Sequence, residues 1–339
     1  VDNLTHTLVG AALGQAGLKR RTALAMPALM IGANLSDVDV LCIAFGEALS
    51  CRRGWTHGPI GLLVLPAVLT LVLLWFDRWQ TRRGSRPGAR PAVQPGQLLL
   101  LSYIGALSHP LLDWMNSWGI RLLMPFSERW FYGDALFIAD PWIWLALGIG
   151  IWLSRRRERS GAGRTSSPAI VALLVTTLYS GAMVASGRAV EERVAREFKE
   201  SGLGQPQQVL ANPVFADPFR RRIVVQTEHQ YGFGDFRWLP NPHVLLDQEL
   251  VSSHMDQSAI ALASGQSKQM ADFLYWSRFP FAMIKGNGEN TNVTVGDARF
   301  GTRPDTGVFS VKAAFPLELT KQSDPERLVD SCDKKCPEN

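Results

Sequence analysis

Cysteine is scarce. The chain has 339 residues and four cysteines, at 42, 51, 332 and 336, a spacing that matches no zinc ribbon and rules out a closed thiolate metal site. Histidine is almost as rare, with six in all. A cleavable signal is missing as well: Val1-Asp2-Asn3 leads into an apolar stretch that holds His6 and has no small-residue cleavage pattern. An initiator methionine is expected to have been removed ahead of Val1. The formal charge is +5, which raises nucleic acid as a partner. The basic residues lie in short loops beside apolar runs, however, which is where membrane proteins carry them, and this excludes the nucleic-acid reading.

Apolar residues are concentrated before about residue 187, in runs separated by arginine-rich breaks. Six segments emerge: 4–18, 22–45, 59–76, 97–114, 135–153 and 168–186. The first is short for a span, so it is tilted across the membrane or re-entrant. The expected fold is therefore an α-helical integral membrane domain of five to six transmembrane segments. The loops after the first, third and fifth segments carry thirteen Lys and Arg, those after the second and fourth only four. By the positive-inside rule the richer side is cytoplasmic, which puts the C-terminal region outside.

Beyond the last segment the sequence is polar and mixed. An amphipathic stretch, 190–199, leaves the membrane. Strands are expected over 222–228, 231–238, 279–285, 291–300 and 308–315, with a helix over 255–275 and hairpin chemistry at 285–288 and 303–307. The expected organisation is a transmembrane domain over 1–187, a small extracytoplasmic α+β domain with an antiparallel sheet over 188–320, and a polar tail over 321–339. On the oxidising side, Cys42 with Cys51 and Cys332 with Cys336 are candidate disulfides.

The chain is organised around Asn34-Leu35-Ser36-Asp37-Val38-Asp39, which puts two carboxylates inside an apolar segment. Ionised groups there are costly unless compensated, and a bound cation would compensate them; the bland alternative is helix-end carboxylates in the headgroup region. Residues two apart splay about 200° around an α-helix, so both can face one ion only where the helix ends or unwinds. The expected topology places His6, His57, His109 and Asp113 at the same depth as Asp37 and Asp39, near the outer leaflet. His109 and Asp113 share one helix face at i, i+4.

His6, His57 and His109 with Asp37, Asp39 and Asp113 form a nitrogen and oxygen donor set suited to Zn²⁺, Mn²⁺ or Fe²⁺. Six ligands exceed one tetrahedral ion with an open position, and they fit two ions bridged by a carboxylate, an arrangement that serves phosphoryl displacement. Arg52 and Arg53 are candidates to hold an anionic group, with Arg53 on a non-bridging oxygen. Asp39 and Asp113 are expected to serve catalysis as well as ligation. Asn116, near the end of the fourth segment, is a candidate substrate or second-shell donor, or a helix cap. His229, His243 and His254 read as structural or surface residues.

With these residues assembled, the N-terminal two-thirds resembles the YdjM-type family of membrane-bound metal-dependent hydrolases. The match rests on Asp2-Asn3-Leu4-Thr5-His6 with Gly10, Asn34 to Asp39, Arg53-Gly54-Trp55-Thr56-His57, and Ser108-His109-Pro110-Leu111-Leu112-Asp113 with Asn116. Val293 to Phe300 is similar to a region that longer members carry. Many members have His-Arg-Gly where this chain has Arg52-Arg53-Gly54, so that histidine is no required ligand here. A more distant likeness is to zinc phospholipase C and P1 nuclease. The resemblance implies a bacterial inner-membrane location, metal ions held by the six His and Asp residues, and hydrolysis as the reaction class; the depth of the site adds the expectation of two or more ions, zinc foremost, cleaving a phosphoester of a lipid or lipid-linked substrate at the outer leaflet. Competing readings are a proton or ion relay in a transporter, against which no polar path continues to the cytoplasmic side, and a metal-stabilised membrane scaffold.

Overall fold

The computed structural model of the protein describes residues 1–45, 48–161, 163–287 and 290–316. The chain divides into two units, one of residues 1–190 with 211–221 and the other of 191–210 with the chain from 222 onward. The polar tail and the pairing of Cys332 with Cys336 lie outside the described residues.

The first unit is helical. Helix α1 (Asn3–Gln15) begins on Asp2, whose carboxylate accepts from the Leu4 and Thr5 amides. Helix α2 (Ala25–Gly32) gives way to a 3₁₀ stretch, Leu35–Phe45, followed by the single turn α3 (Ala48–Cys51). The long helices α4 (Pro59–Arg82), α5 (Pro95–Trp114) and α6 (Pro141–Arg159) each start with proline, where the missing N–H costs nothing and φ is preset. Helix α7 covers Ser167–Glu200.

Leu29, Leu69, Leu73, Leu98 and Leu101 fill one core cluster, and Val9, Ala12, Leu112, Ile143 and Leu147 another. Between α2 and α5 the backbones themselves meet. A Cβ on Gly105 would stand 2.7 Å from the Leu29 carbonyl oxygen, and one on Gly32 would stand 2.9 Å from that of Ser102. Small residues permit this approach, as they do between membrane helices. It fixes the depth of α5 against the end of α2, which is what places the candidate ligands.

The expected five to six spans are not what the helices support. By length and composition, α4 and α7 can cross a membrane among the described residues, and a third span results if Ala25–Gly32 and Leu35–Cys42, bent by 45°, count as one. Helix α1 has 13 residues, about 20 Å at 1.5 Å per residue, against an apolar core of about 30 Å. Helix α5 carries His109 and Asp113, and the apolar part of α6 ends at Leu153 before Arg155, Arg156 and Arg157. The segment expected from 135 starts as helix only at Pro141, because Asp140 caps it.

The second unit holds antiparallel pairings and two short helices. Strands β1 (Gln208–Val214), β2 (Asp217–Gln226), β3 (Gln230–Arg237) and β4 (His243–Leu246) follow in sheet order, with β5 (Val251–Ser252) also on β3; residues 211–221, the adjoining ends of β1 and β2, belong to the first unit. Helices α8 (Ser258–Gln266) and α9 (Lys268–Trp276) replace the one expected helix, broken at Ser267, whose hydroxyl caps α9. Strands β6 (Pro280–Asn287), β7 (Asn290–Asp297) and β8 (Ser310–Pro316) form a second, three-stranded antiparallel sheet. The sequence reading had no strand for β1, β4 or β5. Their burial is irregular or their length too short to show alternation.

Asp297 closes β7. Its carboxylate accepts from Ser277 Oγ at 2.6 Å, Arg278 N at 2.9 Å, and Arg299 Nε at 2.9 Å and Nη2 at 2.8 Å, while Arg299 lies over Trp276. Burial pushes this carboxyl up. The Arg299 guanidinium and these hydrogen bonds outweigh it and hold Asp297 below the ordinary carboxylate range. A depressed native pKa contributes stability that is present above the unfolded value of about 3.9 and lost as pH falls through the native one. Asp297→Asn, which removes the carboxylate that faces the buried Arg299 guanidinium, is expected to destabilise this unit by about 3–5 kcal/mol. Denaturant unfolding of the full chain followed by tryptophan fluorescence reads this, and the native chain is expected to show an acid-dependent loss of stability below about pH 4 that the variant lacks.

Candidate metal centre

Four segments bring the candidate ligands together. Asp37 and Asp39 come from the 3₁₀ stretch after α2, Arg52, Arg53 and His57 from the turn before α4, His109 and Asp113 from one face of α5, and His6 from α1. Asp37, His57, His109 and Asp113 are all buried and offer one ligand atom each within 4.8 Å of one another. This is an N₂O₂ donor set.

The proton positions decide what the set can do. His109 Nδ1 lies 2.7 Å from the Ala33 carbonyl oxygen, which only accepts, so Nδ1 carries the hydrogen and Nε2 is bare. His57 Nδ1 lies 3.3 Å from Asp39 Oδ2, to which the Thr56 hydroxyl already donates at 3.1 Å. Donation from Nδ1 to that carboxylate leaves His57 Nε2 bare too. The two Nε2 atoms are 3.1 Å apart, and Asp113 Oδ2 is 3.5 Å from one and 3.3 Å from the other. Asp37 Oδ1 stands 4.0 and 3.8 Å from the same nitrogens.

With both rings neutral in these tautomers, electron-rich atoms converge at Nε2 of His57 and His109 and at Oδ2 of Asp113, and a cation answers them at once. The residues present therefore fit a divalent metal. Asp113 Oδ2, Asp39 Oδ1 and both ring nitrogens of His6 are buried with no hydrogen-bond partner, each a cost of about 1–3 kcal/mol if left so. The ring edges facing away from the cluster are held by a backbone carbonyl and a carboxylate, as is usual behind metal-ligating histidines.

The six expected ligands divide by role. Asp39 is not with the four: in a 3₁₀ helix residues two apart are about 240° apart, so it faces the other ring nitrogen of His57. His6 stacks on His109 with centroids 3.9 Å apart, its Nε2 3.4 Å from Asp113 Oδ1. Arg53, expected to face a substrate, points inward. Its guanidinium donates to Asn116 Oδ1 at 3.0 Å, the Gly119 carbonyl at 3.1 Å and Asp113 Oδ1 at 3.3 Å. Its backbone is left-handed, with φ of 55°, and aims its N–H at Asp39 Oδ2, 2.7 Å away. Asn116 receives Arg53 and the Trp118 amide and lies outside the cluster.

Arg52 is more open, with its side chain 28% exposed and Nη2 3.5 Å from Asp37 Oδ1. Cys42 and Cys51 are disulfide-bonded, as the sequence suggested, which ties the chain after Asp39 to the chain before Arg52. Two supports escaped the sequence reading. Thr56 stood in plain view inside its motif, next to the histidine it helps to orient. The Ala33 carbonyl carries no side-chain signal and was not readable.

The family described as YdjM inner membrane protein matches residues 1–190. No curated protein and no solved structure matches the chain, so the more distant likeness to zinc phospholipase C and P1 nuclease gains no support.

If Asp39 supports His57 rather than ligating, Asp39→Asn is expected to weaken cation affinity about 10- to 100-fold with the number of bound ions unchanged. Competition with a chromophoric chelator measures this. Loss of an ion from that variant would make Asp39 a ligand.

Proposed function

The chain belongs to the YdjM inner membrane protein family, and from that premise and the geometry of the centre we propose that it is a membrane-embedded metal-dependent hydrolase that cleaves a phosphoester of a lipid or lipid-linked substrate. The carrying observation is the pair of bare imidazole nitrogens, 3.1 Å apart, set among buried carboxylates. Asp37, His57, His109 and Asp113 would hold the cation, with Zn²⁺ favoured by the donor set and Mn²⁺ or Fe²⁺ compatible with it. The unpartnered nitrogens of His6 beside Asp113 support a count of two. When bound, such ions supply Lewis acidity, polarising a phosphoryl oxygen and acidifying water.

The chain's own residues do the rest. Arg52, part-exposed and ion-paired with Asp37 and Asp39 at the edge of the centre, binds the anionic phosphoryl group. Arg53 and Asn116 are positioning residues: they fix Asp113, and through it the two histidines. Asp39 and Thr56 hold His57 in the tautomer that presents Nε2. A carbonyl ester would meet the same centre, and the phosphoester is preferred because guanidinium matches phosphate oxygens.

The proposed setting is the bacterial cytoplasmic membrane, with the centre and the second unit on the extracytoplasmic side. Loop arginines support that orientation, as does the Cys42–Cys51 disulfide beside the centre, since disulfides persist where the compartment is oxidising. Outward-facing Leu100, Leu107 and Leu111 on α5 and Leu145, Ile149 and Trp152 on α6 are exposed. They support contact of those helices with the apolar phase beside α4 and α7.

Full-length protein in detergent, offered phospholipid after chelation and after reloading with Zn²⁺, is expected to release a phosphorylated product only when reloaded. His109→Ala is expected to reduce turnover to background, and Arg52→Ala to lower kcat/KM about ten- to hundredfold, the worth of a charge-assisted hydrogen bond. Cleavage indifferent to chelation contradicts the mechanism. Proton or ion flux in metal-free protein would put a relay in its place.

A further inference from the structure

A groove of about 480 Å³ opens beside the centre, between the start of α1 and the bend after α2, and Asp37 is one of its walls. Its apolar lip is formed by Met30, Ile31 and Val38, of which Ile31 and Val38 are exposed. Its polar side is formed by Asn3, Thr7 and Asn34. No lysine or arginine lines it, and Asp37 is its only ionisable residue. The groove therefore disfavours a second negative charge.

Hydrogen-bond accounting sharpens this. The Asn34 amide Nδ2 donates to the Met30 carbonyl at 2.9 Å and to Thr7 Oγ1 at 3.0 Å. The carbonyl fixes which end of the carboxamide is nitrogen, since it accepts only. Asn34 Oδ1 is then left with no partner, and the Thr7 hydroxyl has its own proton committed to the Asn3 carbonyl at 2.8 Å. The inner wall holds acceptors, the buried and unpartnered Asn34 Oδ1 and the Asp37 carboxylate, while the exposed Asn3 carboxamide carries both donors and an acceptor. A matching occupant brings donors.

We propose that this groove seats the headgroup of the substrate and selects a phospholipid whose headgroup carries hydrogen-bond donors and no negative charge beyond the phosphate, an ammonium or a polyol. The inference rests on the lipid phosphoesterase reading and assigns its substrate class. Ethanolamine and glycerol headgroups meet the requirement. Choline has no N–H to donate, and serine adds a carboxylate facing Asp37.

The test is isothermal titration of chelated, full-length protein in detergent with dihexanoyl phosphatidylethanolamine, phosphatidylglycerol, phosphatidylcholine and phosphatidylserine. The first two are expected to bind about tenfold more tightly than the others, the value of one hydrogen bond to a charged group. Asn34→Leu is expected to erase the difference between ethanolamine and choline. Ile31→Trp, at an exposed position and so tolerated by the fold, is expected to weaken all four. Elemental analysis should find metal uptake unchanged in both variants. Equal affinity for choline and ethanolamine, or discrimination that survives Asn34→Leu, overturns the proposal. Cleavage without headgroup preference removes the groove assignment and leaves the hydrolase reading standing. Selective binding with no cleavage by metal-loaded protein does the reverse.

Discussion

Two imidazole nitrogens 3.1 Å apart and walled by carboxylates repel unless a proton or a metal ion stands between them. In water this would cost little. In an apolar helical unit the repulsion is poorly screened, and the surrounding structure holds the four groups together against it. Gly32 and Gly105 bring α2 and α5 into backbone contact, which sets the Ala33 carbonyl on His109. The left-handed turn at Arg53 sets its amide on Asp39, and Asp39 in turn sets His57. Arg53 and the buried Val1 ammonium both donate to Asp113 Oδ1, and Arg52 stands beside Asp37 and Asp39. Asp113 Oδ2, which faces the two histidines, is left without a hydrogen-bond partner.

The same arrangement accounts for the irregular backbone. Had α2 continued as an ideal helix, Asp37 and Asp39 would have pointed apart with nothing to hold either. The 3₁₀ stretch, bent by 45° from α2, turns Asp37 into the cluster and Asp39 behind His57. Cys42 and Cys51 tie off the loop that follows. The bend also leaves the groove at Asn34, so the feature that builds the centre gives it a side opening with apolar lips. A substrate dissolved in the bilayer can reach such an opening laterally.

Much of this was legible in the sequence, and for a physical reason. Carboxylates and histidines inside apolar runs are so costly that their positions carry information: Asp37, His57, His109 and Asp113 share one cluster, with His6 beside Asp113 and Asp39 beside His57. Their roles were less legible. Whether Arg53 faces outward or inward depends on one φ angle, and whether Asp39 ligates or supports depends on the pitch of a short helix. Spans were overcounted because hydropathy runs do not register where a cap such as Asp140 delays a helix, or that α1 is only 13 residues long. In the second unit, the turn residues at 285–288 marked the β6–β7 hairpin, whereas β4 and β5 are too short to show alternation.

The central claim is that a cation completes this cluster. Its most direct test is the metal content of the detergent-purified full-length protein by elemental mass spectrometry, wild type beside His57→Ala and Asp113→Ala. The account predicts at least one tightly held divalent ion per chain, lost from both variants while their helical content is unchanged. A chain that takes up no metal when offered Zn²⁺, Mn²⁺ or Fe²⁺ would contradict it, and the bare nitrogens would then have to share a proton.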